Sequence, residues 1–252
     1  MTVRFEHIQK TFQSPGGEIS ALADVSFCVE EGDFVSIVGP SGCGKSTLLN
    51  ILAGLERPSG GRVLLDGREV TGMTPAVGYM PQKDQLFPWR TIWGNVTLGL
   101  ELQAQRDESG PERVRTLLER YGLAAFQKKL PGQLSGGMRQ RCALIRTLAT
   151  DPGLLLLDEP FSALDYQTRL SVSDDIHTII RNEKKTALLV THDISEAVSM
   201  SDRVVVLSAR PGHVKNIHDL SLFRGLSPVN RRDHPEFHRF FNDIWKELEL
   251  SA

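Results

Sequence analysis

Between an apolar run, Phe34–Val38, and a helical pattern carried by Leu48, Leu49, Ile51 and Leu52 stands the segment Gly39-Pro40-Ser41-Gly42-Cys43-Gly44-Lys45-Ser46-Thr47. It matches the pattern G-x-x-x-x-G-K-[ST] in full, and the strand before it and the helix after it are the context that the pattern requires. Glycines let the backbone turn so tightly that successive N–H groups point inward, and the helix N-terminus adds a favourable dipole, so the loop is built to cradle phosphate. Lys45 is placed to reach β- and γ-phosphates, Ser46 to coordinate Mg²⁺, and Thr47 to support the α-phosphate end. The motif implies nucleotide binding but does not choose among kinases, GTPases, helicases and transport ATPases.

A chain of 252 residues has room for one α/β domain with an insertion. Its formal net charge of −2 gives no field that would mark nucleic acid as the main partner. Cys28, Cys43 and Cys142 are odd in number and widely spaced, as expected of a reducing compartment. Residues 1–10 include Arg4, Glu6 and Lys10 and so lack a signal peptide's apolar stretch. No apolar run approaches the roughly 18 residues of a membrane span. Work at a membrane would therefore depend on other chains.

Short β-branched or leucine-rich runs alternate with helical patterns, which predicts a largely parallel, buried sheet with helices on both faces. The expected strands are Phe34–Val38, Val77–Met80, Leu154–Leu157, Ala187–Val190 and Val204–Leu207. Val3–Ile8 and Ala21–Glu30 are more polar and predict an antiparallel subdomain joined at Glu31-Gly32-Asp33. Gly60-Gly61 and Asp66-Gly67 are read as its turns. From Gln82 to Pro152 the strand signal vanishes, and Trp93–Leu102 and Glu112–Tyr121, with Pro111 near the start, predict a helical insertion containing the polar linker Asp107–Gly110. After Leu207 the sheet is expected to be complete. A one-faced stripe of Phe237, Phe240, Phe241, Ile244, Trp245 and Leu248 predicts a terminal helix docked on the core.

Leu154–Leu157 ends in Asp158-Glu159-Pro160, two carboxylates at the C-terminal edge of a buried parallel strand, where α/β sheets place ligands. Asp158 is expected to stand behind Mg²⁺. Glu159 is suited to polarise the attacking water in line with the γ-phosphate.

Leu134-Ser135-Gly136-Gly137-Met138-Arg139-Gln140-Arg141 resembles the signature of the ABC ATPases and opens a helix through Cys142, Ala143, Leu144, Ile145 and Leu148. Ser135 and the N–H groups of Gly136 and Gly137 stand at a helix start, which makes a second anion site with no second phosphate in the same chain to fill it. The resemblance implies head-to-tail pairing, in which residues 134–138 of each chain cap the ATP on the other chain's phosphate loop. It covers essentially Val3 to Arg210. It further implies that Gln82 contacts Mg²⁺ or water and senses a membrane subunit, that Asp165 in Ser162-Ala163-Leu164-Asp165 crosses the dimer interface, and that His192 in Val190-Thr191-His192-Asp193 holds the γ-phosphate. Phe12 takes the place of the aromatic that stacks on adenine.

Gln82-Lys83-Asp84-Gln85-Leu86-Phe87-Pro88-Trp89-Arg90-Thr91, followed by Asn95-Val96, looks like the branch of bacterial importers for nitrate, sulfonates, taurine and thiamine-pyrimidine precursors. Arg139 after Met138 and Ala209-Arg210-Pro211-Gly212 point the same way. Leu86, Phe87, Pro88 and Trp89 form an apolar cluster suited to a groove that receives a short helix of a permease. Cys43, near a helix N-terminus, is expected to have a lowered thiol pKa and to react with maleimide. His234 and His238 have i, i+4 spacing, but without a third ligand they read as a surface pair.

The resulting expectation is an α/β P-loop NTPase with a mainly parallel core sheet, an N-terminal antiparallel β subdomain and a helical insertion. It forms one ABC ATPase domain over 1–252, with residues 1–81 and 152–210 as core, 82–151 as insertion and 211–252 as extension. ATP and Mg²⁺ are the expected cofactors. The expected partners are a second copy or a paralogue, integral membrane permease subunits and, indirectly, an extracytoplasmic solute-binding protein, at the cytoplasmic face of the inner membrane. The alternative is a soluble ABC ATPase acting on DNA or ribosomes, which commonly has two cassettes per chain or a long coiled-coil insertion. Neither is present in this sequence.

Overall fold

The computed structural model describes residues 1–103 and 108–249. Two sheets divide the strands. The first is antiparallel, with β1 (Val3–Ser14) between β2 (Gly17–Val29) and β4 (Gly60–Leu65), and β5 (Arg68–Glu69) beyond β4. Alternation builds it, since Val3 and Phe5 face inward while Thr2 and Arg4 face water. Asp66 and Gly67, with φ of 47° and 77°, make the β4–β5 turn as read from the sequence. Gly60-Gly61 is instead the bulged start of β4. Gly61 has φ 74°, and a Cβ there would strike the backbone carbonyl of His7 across the β1–β4 ladder, where the register shifts.

The second sheet runs β10-β9-β3-β8-β7-β6, where β3 is Phe34–Val38, β6 Val77–Met80, β7 Leu154–Asp158, β8 Thr186–Val190, β9 Arg203–Leu207 and β10 Val214–Asp219. All pair in parallel except β10, which is antiparallel to β9. The sheet is therefore not complete at Leu207. β10, Val214-Lys215-Asn216-Ile217-His218-Asp219, is a mostly exposed edge strand and carries no apolar run to betray it. The leucines of β7 divide between faces. Leu155 and Leu157 join the core under the helical insertion, while Leu154 and Leu156 join the core under the antiparallel sheet. A strand covered on both sides needs apolar residues at every position.

The helices are α1 (Lys45–Leu52), α2 (Ile92–Val96), α3 (Leu98–Leu102), α4 (Gly110–Arg120), α5 (Gly136–Leu148), α6 (Tyr166–Asn182), α7 (Ile194–Met200), α8 (Pro228–Arg232) and α9 (Phe237–Glu249). The segment expected to be one helix over Trp93–Leu102 breaks at Thr97 into α2 and α3. Of the expected linker, Asp107 lies outside the described residues and Gly110 already belongs to α4, with Pro111 in its first turn. α9 docks through Phe237, Phe240 and Ile244 onto Val198, Val204 and Val206. Arg231 of α8 is fully buried. Its guanidinium donates to the carbonyls of Ser201 and Leu226 and lies 3.8 Å from Asp202, which pins the extension to the core.

Candidate nucleotide site

Parallel pairing sets four strand ends side by side. Ile37 of β3 faces Val190 of β8, Asp158 of β7 faces Val190, and Met80 of β6 faces Leu157. The loops that follow hold Gly39–Thr47, Glu159, His192 and Gln82, so residues far apart in sequence meet along one sheet edge.

The glycine-rich loop turns through Gly42 (φ 75°) and Gly44 (φ 102°). Gly44 disfavours a side chain, since its φ is one that L residues rarely adopt and a Cβ would also come within 3.0 Å of the Ala21 carbonyl and 2.5 Å of Leu22 Cδ2. Lys45 is buried, and its ammonium donates to the carbonyls of Gly39 at 2.7 Å and Pro40 at 2.9 Å. Ser41, Gly42 and Ser46 are exposed, with Thr47 half-buried behind them. Ser46 Oγ donates to Asp158 Oδ1 at 3.1 Å, and the Tyr79 hydroxyl donates to Asp158 Oδ2 at 3.1 Å. Burial raises the Asp158 pKa against the pull of these two donors. Burial, and then the Asp158 charge, raise that of Tyr79.

Glu159 holds φ 45°, which turns the chain sharply at the end of β7, and its N–H still bonds the carbonyl of Val190 at 2.8 Å. Its Oε2 lies 3.1 Å from His192 Nδ1 and accepts from Gln82 Nε2 at 3.2 Å. Carboxylate, imidazole and carboxamide thus converge. Behind them, Thr191 donates to the buried Glu196 at 2.7 Å, Asp193 Oδ1 accepts the Glu196 N–H at 3.1 Å, and Arg169 lies 3.3 Å from Asp193 and 3.7 Å from Glu196. Burial, opposed by the Thr191 hydrogen bond, pushes the Glu196 pKa up to about 7.

Two expected features change. Cys43 is fully buried, a Cβ on Gly39 would come within 2.7 Å of its sulfur, and burial raises its pKa against the opposing charge of Lys45. The expected low-pKa, reactive thiol is therefore wrong, because desolvation outweighs the charge and the loop covers the sulfur. His234, expected on a surface helix with His238, instead precedes α9, where its ring stacks edge-on against Phe223 at 5.1 Å and its Nδ1 accepts the Glu236 N–H at 3.2 Å. Phe12 stands on β1, 36% exposed, with the Lys10 ammonium 4.8 Å from its ring centre.

The second motif lies elsewhere in the chain. Ser135 caps α5 by accepting the Met138 N–H at 3.3 Å, with Leu134 buried beneath it and Met138 packed on the insertion core. Gly137 must be small, since a Cβ would come within 2.6 Å of Val172 Cγ2. Ser135 and Gly136 share a cavity of about 640 Å³ with Leu164 and Asp165, separate from the cavity lined by Ser41 and His192. Asp165 caps α6 by accepting from the Thr168 N–H at 3.1 Å and hydroxyl at 2.6 Å, which lowers its pKa.

α5 is tied to the Gln82 loop. Arg139 Nε donates to Asp84 Oδ2 at 3.0 Å, and Arg146 donates to the carbonyls of Gln85 at 2.7 Å and Asp84 at 2.8 Å. Asn95 is buried and bonds the backbone of Phe87, Arg90 and Thr91 through both ends of its amide. The apolar cluster is thereby split, with Leu86 inside and Trp89 73% exposed and stacked on Phe87 at 5.1 Å.

Comparison with known proteins now decides the family. The model of the ABC transporter family matches residues 22–162. An uncharacterized ABC transporter ATP-binding protein of Bacillus subtilis is 48% identical over 96% of this chain and 94% of its own length. The chain belongs to the ABC transporter family. An aliphatic sulfonates import ATP-binding protein of Bacillus licheniformis is 40% identical over 96% of this cassette and 92% of its own length. The dimeric structure of a post-hydrolysis state of an ATP-binding cassette bound to ADP and Pi superposes with a TM-score of 0.71 at 33% identity, over 86% of this chain and 98% of that one. The fold and the ATPase activity coupled to transport follow from this membership. Among the described residues, no helix is long and apolar enough to cross a membrane.

Behind this site, Tyr79, Glu196 and Arg169 belong to no sequence motif, and Gly212, read above only as part of a branch motif, has a packing role that the motif does not show. Tyr79 and Glu196 act from the second rank of the sheet edge. Gly212 packs so closely that a Cβ would overlap the Cys43 carbonyl. These residues come from β6, α6, α7 and the β9–β10 connection, and only the tertiary fold brings them together.

Proposed function

We propose that this ATPase subunit works as a head-to-tail pair on two permease subunits, with ATP closing the pair and hydrolysis reopening it. The observation that carries the reading is the meeting of Glu159 with His192 and Gln82 at one sheet edge, while the Ser135 helix start opens a different cavity. A site whose second anion cradle faces elsewhere needs another chain to complete it.

On this reading, Gly39–Thr47 wraps the phosphates, and Lys45 turns from the loop carbonyls to the β- and γ-phosphate oxygens. Phe12 stacks on adenine. Glu159 holds the attacking water in line with the γ-phosphate, and His192 steadies that phosphate. Residues 134–138 of the second copy cap the γ-phosphate, and Asp165 lies at the interface. Ser46 and Gln82, with Asp158 behind them, would hold Mg²⁺. Their hard oxygen donors suit it, and among the described residues no trio of His, Cys, Asp or Glu is placed to do so alone, so phosphate and water would supply most ligands. The ion would neutralise charge developing on the β- and γ-phosphate oxygens. The domain division at residues 82, 152 and 211 belongs to the same proposal.

The exposed Trp89 loop receives a permease helix, and its ties through Asp84 to Arg139 carry that contact to the Ser135 helix. The relation to sulfonate importers and the Leu86–Trp89 segment favour import of a small solute of the nitrate, sulfonate, taurine or pyrimidine-precursor type, delivered by an extracytoplasmic binding protein, with this subunit at the cytoplasmic face of the inner membrane. The test is to purify tagged Glu159→Gln protein from gently solubilised membranes with ATP. Recovery of a multi-span permease is expected. Recovery of only ribosomal or DNA-repair proteins would overturn the reading.

A further inference from the structure

α9 uses only part of its apolar face to dock. Phe237, Phe240 and Ile244 are buried against the core, while Phe241, Trp245 and Leu248, spaced i, i+4 and i+7, form a neighbouring stripe in which Phe241 and Leu248 are half-buried at the edge of that core and Trp245 is exposed. Trp245 remains 48% exposed even though its ring stacks on Phe241 at 6.3 Å. The stripe does not face open solvent at random. With Pro40, Ser41, His192 and Asp193 it lines a cavity of about 540 Å³, so a largely apolar helix edge, ending in Glu249, stands beside the phosphate loop and the His192 loop.

The nucleotide does not account for it. Phosphate oxygens require the donors of Lys45 and Ser46, not an indole and a leucine, and adenine is assigned to Phe12 on the other sheet. An apolar stripe at the rim of a polar site has the composition of an interface. Its neighbours say what covers it. Ser41 and His192 border the region that a second copy must cover to bring its Ser135 helix to the phosphates, so a surface sharing those two residues is continuous with that contact. The solved cassette neighbours are dimeric. We propose that the Phe241–Trp245–Leu248 stripe packs against a second copy of this chain when the ATP-bound pair closes. The C-terminal extension then belongs to the dimer interface and sets how readily the pair closes. The inference rests on the head-to-tail reading above.

Sedimentation of Glu159→Gln protein at saturating MgATP tests it, because saturation removes differences in ATP affinity from the comparison. Adding Trp245→Ser should raise the dimer dissociation constant about tenfold or more, as expected of an interface aromatic, while Trp245→Phe keeps it within about threefold. Leu248→Ser is the second variant, and thermal melts of the monomers check that each remains folded. Unchanged dimer constants for both serine variants, with the Glu159→Gln parent dimerising, overturn the inference and leave the head-to-tail reading intact. A parent that stays monomeric at saturating MgATP overturns the head-to-tail reading, and this inference with it.

Discussion

At the scale of single residues, Glu159 is the side chain on which the proposed chemistry turns. Its carboxylate lies between His192 and Gln82. Glu159→Gln keeps the shape and the hydrogen-bonding reach but loses the base, so steady-state ATP hydrolysis should fall by about 10²-fold or more with nucleotide binding kept. A phosphate-release assay beside a nucleotide-binding titration checks both halves. Thiol labelling reports the packing of the loop. Cys28 is exposed while Cys43 and Cys142 are buried, and burial raises the pKa of both buried thiols. Maleimide should therefore modify Cys28 first, and mass spectrometry of Cys28→Ser protein should find almost no rapid labelling. Gly212→Ala should destabilise the fold by about 1–3 kcal/mol, because its Cβ has no space against the Cys43 carbonyl and the phosphate loop must shift. Denaturant melts measure it. Lys45, Ser46, Asp158 and Glu159 were legible in sequence because their chemistry lies in contiguous motifs. Tyr79 was not, and the packing role of Gly212 was not, because their partners come from other strands and loops.

At the scale of elements, the extension after β9 is held by a buried ionic cluster. Asp202 is almost wholly buried. Its two oxygens accept from Arg181 Nη2, at 2.7 and 2.8 Å, and it accepts the Phe34 N–H at 2.9 Å, with Arg231 at 3.8 Å. Burial lowers the Arg231 pKa to about 10, so the guanidinium stays charged at neutral pH and still needs its partner. Asp202→Ala leaves that charge unpaired and should cost about 3–5 kcal/mol in chemical denaturation. The buried strands were legible because each is covered on both faces and must be apolar throughout. β10 was not, because an edge strand is paired on one side and its residues are free to be polar. The break at Thr97 also escaped the periodicity, since α2 and α3 keep the helical spacing on either side of it.

At the scale of the whole molecule, stability should depend on pH through two buried groups of opposite sign. Burial, reinforced by Arg181 and Arg231, lowers the His177 pKa from 6.5 to about 3, so its contribution is present above pH 6.5 and is lost as pH falls toward 3. Burial raises the Glu196 pKa from 4.5 to about 7, so its contribution is present below pH 4.5 and is lost as pH rises to 7. Each slope is at most about 1.4 kcal/mol per pH unit, and the two oppose each other between pH 4.5 and 6.5. Relative to the parent, Glu196→Gln should gain stability as pH rises through that window and His177→Gln as it falls, measured by denaturant melts at several pH values. Sequence alone determined the phosphate loop, the carboxylate pair, the capped helix at Ser135 and the alternation of strand and helix, because each is written in neighbouring residues whose backbone needs are local. Tertiary structure decided what those motifs meet. Strand order laid Glu159 against His192 and Gln82, burial covered the Cys43 sulfur and raised its pKa, and docking of α9 set an apolar stripe beside the phosphate loop, since contact, desolvation and packing arise only between segments distant in the chain.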